Sequence, residues 1–453
     1  MPGQSQINSY AFAIYDQKSH NPRTVPIRQP KVILDIAFLG HAHDERTARR
    51  GAQRVAGKIF EGLRATAKCD LTYTASAHLA GAYEFLQSQS IDPQQRLAYD
   101  PAQLDRSRRG RNVVRAIQRN ITNRSLLARA RRRLLASRAT RLLRGEQDFN
   151  PAWLDQADIF HSPHTPFPRA VREHPRIKKF LTLHDFIPLT NPEYFVWPAK
   201  PFMDGVLACL TPENFAFCVS ETTRNDALNY SRIPPENVFV TPLAADEKLF
   251  QPVTDAAQLA AVRAQFKIPD APYFLAVSAH DRHKNFPHLI RCFGTLVDSG
   301  ELPEANLVIV GPNPSHSAEV IAALAAHPRA RARVIIAGFV PDENLAALYS
   351  GAVAFLFPSL AEGFGIPPLE AMQCGTPVIA SNTTSIPEVV GDAGILLPPT
   401  DEDAWCQNIL RLARDEKLRG ELRAKSLVRC KLFSWPRFTE AILRGYEFSL
   451  AAR

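Results

Sequence analysis

The second half of the chain is a regular alternation. Short, unbroken apolar runs occur at residues 273–278, 307–310, 334–337, 354–357, 378–380 and 395–397. Between most of them lie segments of helical period or composition, such as 285–297, 318–326 and 342–349. A strand that is apolar on both faces has to be covered on both faces. The alternation therefore demands a parallel sheet between two layers of helix. Ligands of such sheets bind at the carboxyl ends of the strands. The first half reads less cleanly, with strands expected at 31–40, 158–161, 179–184, 215–220 and 238–242. Residues 243–270, carrying Pro252 and Pro269, read as a hinge. A length of 453 residues is too great for one ordinary core and suits two domains.

Apolar residues make up 45% and charged residues 22%, which is ordinary for a folded protein. No run approaches 18 apolar residues, and residues 1–28 are polar and lack an apolar signal core. Seven scattered cysteines without a Cys-x2-Cys pair read as reduced core thiols of a cytosolic protein. The net charge of +9 is local in origin: residues 106–144 hold fourteen arginines and no Asp, Glu or Lys, leaving 40 basic against 45 acidic residues elsewhere. Within this segment Leu126, Leu127, Ala130, Leu134, Leu135, Ala139, Leu142 and Leu143 recur at helical spacing. Arg129, Arg131, Arg132, Arg133, Arg138 and Arg141 fill much of the remainder. A basic amphipathic helix of this kind fits an anionic membrane surface or another polyanion. It also fits a solvated helix whose leucines pack on the N-terminal domain. No zinc-finger, RNP or helix-turn-helix pattern marks a dedicated nucleic-acid binder.

The chemistry concentrates between Pro358 and Gly375. Glu362 and Glu370 stand eight positions apart, joined by a glycine-containing turn that opens a helix. Pro367 and Pro368 fit the first helical turn, and Gly375 fits a left-handed stop. A helix start at the end of a parallel strand offers free amides and a positive dipole end to a phosphate. The two carboxylates suit ring hydroxyls, because an ionised Glu accepts several hydrogens at once. Together these features suit a sugar nucleotide, although spacing alone does not separate them from an ordinary loop before a helix.

This string resembles the Glu-x7-Glu signature of the family 4 retaining glycosyltransferases. The resemblance runs on through Gly375-Thr376-Pro377-Val378-Ile379-Ala380 and Ile386-Pro387-Glu388-Val389-Val390-Gly391, a match of roughly forty residues. It implies an α/β fold of the GT-B type, with two Rossmann-like domains whose parallel sheets face each other across a cleft. The expected division is an arm over 1–28 and an acceptor-side domain over 29–255, with 106–144 as its arginine-rich insertion. A nucleotide-sugar domain follows over 256–430, and a last helix over 431–453 crosses back to the N-domain.

The resemblance also implies roles. Glu370 would hold the ribose and Glu362 the transferred sugar, while the backbone of Gly363, Phe364, Gly365 and Ile366 approaches the donor. Lys284 and Asn285 match a motif that grips the donor diphosphate. The arginine expected before Lys284 is replaced by His283, with Arg282 displaced by one residue. Phe339 and Val340 would cradle the base through main-chain groups, and His184 would sit beside the donor sugar. Gly51 and Arg54 resemble a loop reaching the diphosphate and acceptor. The segment Ser220-Glu221-Thr222-Thr223 reads as helix capping, with Ser220 at the cap. No metal and no cofactor is implied, only a donor such as GDP-mannose or a UDP-sugar. The implied activity is hexosyl transfer, mannose favoured, to a glycan or lipid-linked acceptor in surface polysaccharide synthesis at the cytosolic face of the membrane. A sugar-nucleotide epimerase or a catalytically silent scaffold of the same fold is the alternative.

Overall fold

The computed structural model describes residues 28–45, 51–119, 134–138, 142, 151–195, 199–277, 282–311 and 317–451. Two six-stranded sheets organise the chain, and every strand pair in both is parallel. The first contains β1 (Lys31–Asp35), β2 (Asp70–Thr74), β3 (Ile159–Ser162), β4 (Lys178–Leu183), β5 (Phe215–Cys218) and β6 (Val238–Val240), in the order β2-β1-β3-β4-β5-β6. The second contains β7 (Tyr273–Val277), β8 (Asn306–Val310), β9 (Val334–Gly338), β10 (Ala354–Phe357), β11 (Val378–Ser381) and β12 (Ile395–Leu397), in the order β12-β11-β10-β7-β8-β9. The strands of the second sheet are the apolar runs of the sequence to within a residue or two, because side chains buried on both faces leave an uninterrupted signal.

Each sheet reverses direction once. The first does so between β1 and β3, the second between β7 and β10. Connections leaving neighbouring strands in opposite directions open a crevice at their carboxyl ends, and this is where open α/β sheets bind ligands.

The N-terminal half departs from the sequence expectation in three places. The strand expected over 31–40 stops at Asp35, and residues Ala37–Glu45 form a helix. The cause is Asp35 itself: its buried carboxylate accepts the Ala37 amide at 2.9 Å and the Ser76 hydroxyl at 2.6 Å, turning the chain. The strand β2, with polar residues at 70, 72 and 74, carried no apolar run to betray it. The arginine-rich helix begins earlier than 106, at Pro101, and extends to Arg119. Its Arg111 pairs with Glu84 and its Arg108 lies 5.1 Å from the Tyr83 ring, both on helix Leu79–Ser88. Arg129, Arg131, Arg132, Arg133 and Arg141 lie outside the described residues, as do Leu126, Leu127, Ala130, Ala139 and Leu143. Leu134, read as part of an apolar face, is 74% exposed.

The last helix, Trp435–Ala451, packs on helix Ala52–Thr66 and on β6, so the chain ends against the N-terminal sheet. Tyr446 is its anchor, its hydroxyl 2.6 Å from His161 Nδ1 while His161 Nε2 lies 2.8 Å from the Thr182 hydroxyl. Every polar atom of this buried group is used, as burial away from water requires. One apolar core joins β1, β7, β10 and this helix through Val32, Leu275, Phe355 and Tyr446, tying the domains together. All seven cysteines are free thiols, six of them buried.

Candidate active site

The site lies between the sheets, on the connections that leave β7 and β10 at the reversal point of the second sheet. A short 3-10 turn, Arg282–Lys284, follows the β7 connection. The β10 connection carries Ser359, Glu362 and Gly363 into helix Ile366–Gln373. Asn285 has φ +57° and its amide donates to the carbonyls of Pro358 at 3.2 Å and Pro399 at 2.8 Å. It thereby clamps three strand ends together, a positioning role distinct from the donor contact expected of it. Lys284 Nζ reaches Glu362 Oε1 at 2.7 Å, with both side chains about seven-eighths buried. Ser359 donates to the same oxygen at 2.6 Å, and the Glu362 amide donates to the Thr384 hydroxyl at 3.0 Å. A cation and a carboxylate separated by 78 residues in sequence are thus held in contact in one domain.

Glu370 is buried and fully engaged, accepting from Tyr349 at 3.0 Å and from Arg54 at 2.5 Å. Burial pushes its pKa up, while the Arg54 guanidinium pulls against that shift. Arg54 is on the opposite domain, in the first turn of helix Ala52–Thr66, and also grips Asp342 at 2.9 Å. Gly51 stands just before that helix with φ +51°, its carbonyl accepting the Arg54 amide at 3.0 Å. Beside this bridge is a cavity of about 330 Å³, lined by Arg54, Lys58, Glu61, Phe339, Asp342 and Glu343 among others. Phe339 is 58% exposed, whereas the Val340 side chain is buried.

His184 and Asp185 follow β4 and meet the Glu362 turn across the cleft. A Cβ on Gly363 would collide with the His184 carbonyl, so only glycine allows Glu362 to come this close. His184 Nε2 lies 2.8 Å from the Pro163 carbonyl, and burial lowers its pKa to about 4, keeping the ring neutral. Burial raises Asp185 to about 6, with Glu362 adding to the shift and Lys284 opposing it.

Two expected phosphate ligands point elsewhere. Arg282 pairs with Glu319 at 3.0 Å on an exposed face. The His283 ring is buried with Tyr194 and Phe195, centroids 6.0 and 6.2 Å away. Phe364 also turns inward, packing edge-on against Phe433, while Gly365 precedes the helix with φ +115°. Ser220 caps helix Glu221–Tyr230 as the sequence suggested, accepting the Thr223 amide at 3.0 Å. Sequence reasoning missed its second cap. Glu388, from the other domain, accepts the amides of Glu221 and Thr222, each at 2.8 Å, and the Thr222 hydroxyl at 2.6 Å. It missed Asp342 for the same reason, since both residues act on partners that folding alone brings near. Among the described residues no group of three or more His, Cys, Asp or Glu is placed to hold a metal ion.

Two parallel sheets facing one cleft, each with a reversal point, make this a protein of the GT-B fold. A structure of Anabaena Alr3699/HepE in complex with UDP and glucose superposes with a TM-score of 0.63 at 15% identity, over 92% of this chain and 98% of that one. Residues 260–427 match the family described as "Glycosyl transferases group 1". The O-antigen chain mannosyltransferase B of Escherichia coli is 31% identical over 326 residues, covering 71% of this chain and 82% of the relative. The serotype-specific mannosyltransferase WbdA of the same species is 27% identical over 271 residues, and the match spans 33% of its length. The chain belongs to the glycosyl transferases group 1 family and is a glycosyltransferase.

Proposed function

We propose that this protein transfers a hexose, mannose, from a nucleotide-diphosphate sugar to a glycan or lipid-linked acceptor during surface polysaccharide assembly. The observation that carries the reading is the Lys284–Glu362 pair beside His184, with Glu370 one helical segment away. The names of the relatives supply the sugar and the setting. In this reading Glu370 takes the ribose, Glu362 the transferred sugar, and the amides opening helix Ile366–Gln373 take phosphate oxygens. Positive charge for the departing diphosphate rests on Lys284, since Arg282 and His283 are engaged elsewhere. Fixed charge aimed at a developing anion is usually the largest catalytic contribution.

Transfer then proceeds with retention, by front-face displacement. The bond from the anomeric carbon to the diphosphate oxygen breaks as the acceptor oxygen bonds on the same face. The acceptor's proton passes to the leaving phosphate. Lys284 and the helix N-terminus supply the countercharge without a metal ion, so turnover is expected to persist in EDTA. The base enters the cavity beside Phe339 and Asp342. Arg54 presently holds Glu370, so an incoming ribose has to displace it. Exposed Arg106, Arg108 and Arg109 on helix Pro101–Arg119 give this face a positive charge, consistent with peripheral attachment to an anionic inner membrane. Each such residue near the surface contributes about 1 kcal/mol.

A thermal-shift panel of GDP-mannose, UDP-glucose, UDP-GlcNAc, UDP-galactose and dTDP-rhamnose tests the donor. A ligand at 100 times its Kd stabilises by about 2.7 kcal/mol. GDP-mannose is expected to give the largest shift, and no shift with any of the five would overturn the reading. Replacing Arg129, Arg131, Arg132, Arg133 and Arg138 with Gln is expected to abolish pelleting with phosphatidylglycerol vesicles at low salt. A wild-type protein that stays in the supernatant would remove the membrane from the account.

A further inference from the structure

The first sheet has its own reversal point, between β1 and β3; of the residues assigned above, only Gly51 and Arg54 are carried on its connections, beyond helix Ala37–Glu45. The connections leaving those two strands carry Phe38 and His164. The two rings are stacked, with centroids 4.2 Å apart and planes inclined by 15°. His164 continues the row in two directions, to Phe202 at 5.4 Å and to His184 at 5.3 Å. His184 is the residue whose carbonyl abuts Gly363. The row therefore begins at the transfer point and runs outward along the strand ends.

These rings differ from the aromatic core beneath them. Phe160, Phe180 and Phe186 are sealed at 1% exposure or less, whereas Phe38, His164, His184 and Phe202 all remain half-buried. Below the row the frame is rigid: Asp35 holds the start of helix Ala37–Glu45 and accepts the Thr165 hydroxyl at 3.3 Å, fixing the β1 and β3 connections to each other. A pyranose presents an apolar face of C–H groups and a rim of hydroxyls. Partly exposed rings match the face, and imidazole nitrogens match the rim, as donor or acceptor according to tautomer. Burial lowers His164 to about 3, so it carries no charge that would select an anion at neutral pH.

We propose that the row of Phe38, His164 and Phe202 is the acceptor subsite, and that it holds the terminal hexopyranose of the acceptor glycan with its attacking hydroxyl toward His184 and Glu362. This rests on the transferase reading above. It assigns the acceptor to neutral carbohydrate. A phosphate or lipid headgroup would need cations, and among the described residues the row offers none.

The test uses the full-length enzyme with its donor and methyl α-D-mannopyranoside or α-1,3-mannobiose as acceptor probe. Phe38→Leu and His164→Gln keep volume and remove the stacking face and the imidazole. Each is expected to raise the acceptor KM at least tenfold, while the donor-induced thermal shift confirms a folded donor site. Phe38→Trp is expected to restore a KM within threefold of wild type. In saturation-transfer NMR on the wild-type protein, the C–H protons of one pyranose face are expected to receive more saturation than those of the other. Acceptor KM values within twofold of wild type in both variants, or equal saturation of both faces, would overturn the proposal. A wild-type enzyme that shows no donor-induced shift fails the transferase reading itself, which separates the two failures.

Discussion

Two ion pairs lie in one cleft and are built differently. Lys284–Glu362 joins neighbouring connections of a single sheet, with Ser359 fixing the carboxylate, Thr384 accepting the Glu362 amide and Asn285 fixing the turn. Arg54–Glu370 spans the cleft, and its guanidinium also holds Asp342. The first pair survives any movement of one domain against the other, so it is available before the donor arrives. The second exists only while the domains are together, and it occupies the carboxylate proposed to take the ribose. Charges held within one rigid element suit catalysis, where reorganisation at the moment of reaction is costly. Charges held across a cleft suit closure, because their pairing depends on the distance between domains.

Lys284→Ala is the severest test of the contrast. Removing the charge proposed to face the departing diphosphate is expected to cost about 2–4 kcal/mol, or roughly 30- to 1000-fold in kcat. The ligand-free scattering profile is expected to stay as it is. Turnover within threefold of wild type would show that the preformed pair is only structural.

Glu370→Gln is expected to act on binding instead. Hydrogen bonds to a charged group are worth about 1.5–3 kcal/mol, so nucleotide Kd is expected to rise roughly tenfold or more, read by calorimetry. The same variant loosens the Arg54 bridge, and the ligand-free radius of gyration is expected to grow. An unchanged nucleotide Kd with a lower Tm would make Glu370 a packing residue.

Acidification tests the tie between the last helix and the first sheet. Burial holds His161 at about 3, against about 6.5 in the unfolded chain. The unfolded state therefore binds the extra proton first, and stability is full above about pH 6.5 and declines as pH falls toward 3. Melting curves from pH 7.5 to 4.5 are expected to show this slope. His161→Gln is expected to lessen it, leaving the share of His164 and His184, at the expense of a lower Tm at pH 7.5. A slope unchanged in the variant would assign the acid sensitivity to other groups.

Glu388→Gln is the mildest change. It keeps the shape of the cap on helix Glu221–Tyr230 but turns one accepting oxygen into an NH2 group, so one capped amide loses its acceptor, for about 1 kcal/mol. That corresponds to a Tm lower by up to about 2–4 °C. A drop far beyond this would mean that Glu388 fixes the closed arrangement as firmly as Arg54 does.

The second sheet, its cleft-facing ends and the two glutamates were legible in the sequence. Strands buried on both faces are apolar throughout, and glycine, proline and carboxylate at fixed spacing survive in one dimension as they do in three. Lys284 was legible for the same reason, standing between a strand and a helix. The first sheet was only partly legible, because β2 is polar at alternate positions and Asp35 ended a strand that apolar content alone would have extended. The set of partners was not legible there. Arg54 and Glu370 are 316 residues apart, Glu388 and Thr222 are 166 apart, and Phe38 meets His164 only because β1 and β3 are neighbours. The same holds for the outward turn of Arg282 and the burial of His283, whose side chains answer to Glu319 and to the rings of another domain. Local pattern records what a residue is and which element it joins. Which charge or ring it faces depends on packing between elements distant in the chain, and no short-range periodicity carries that information.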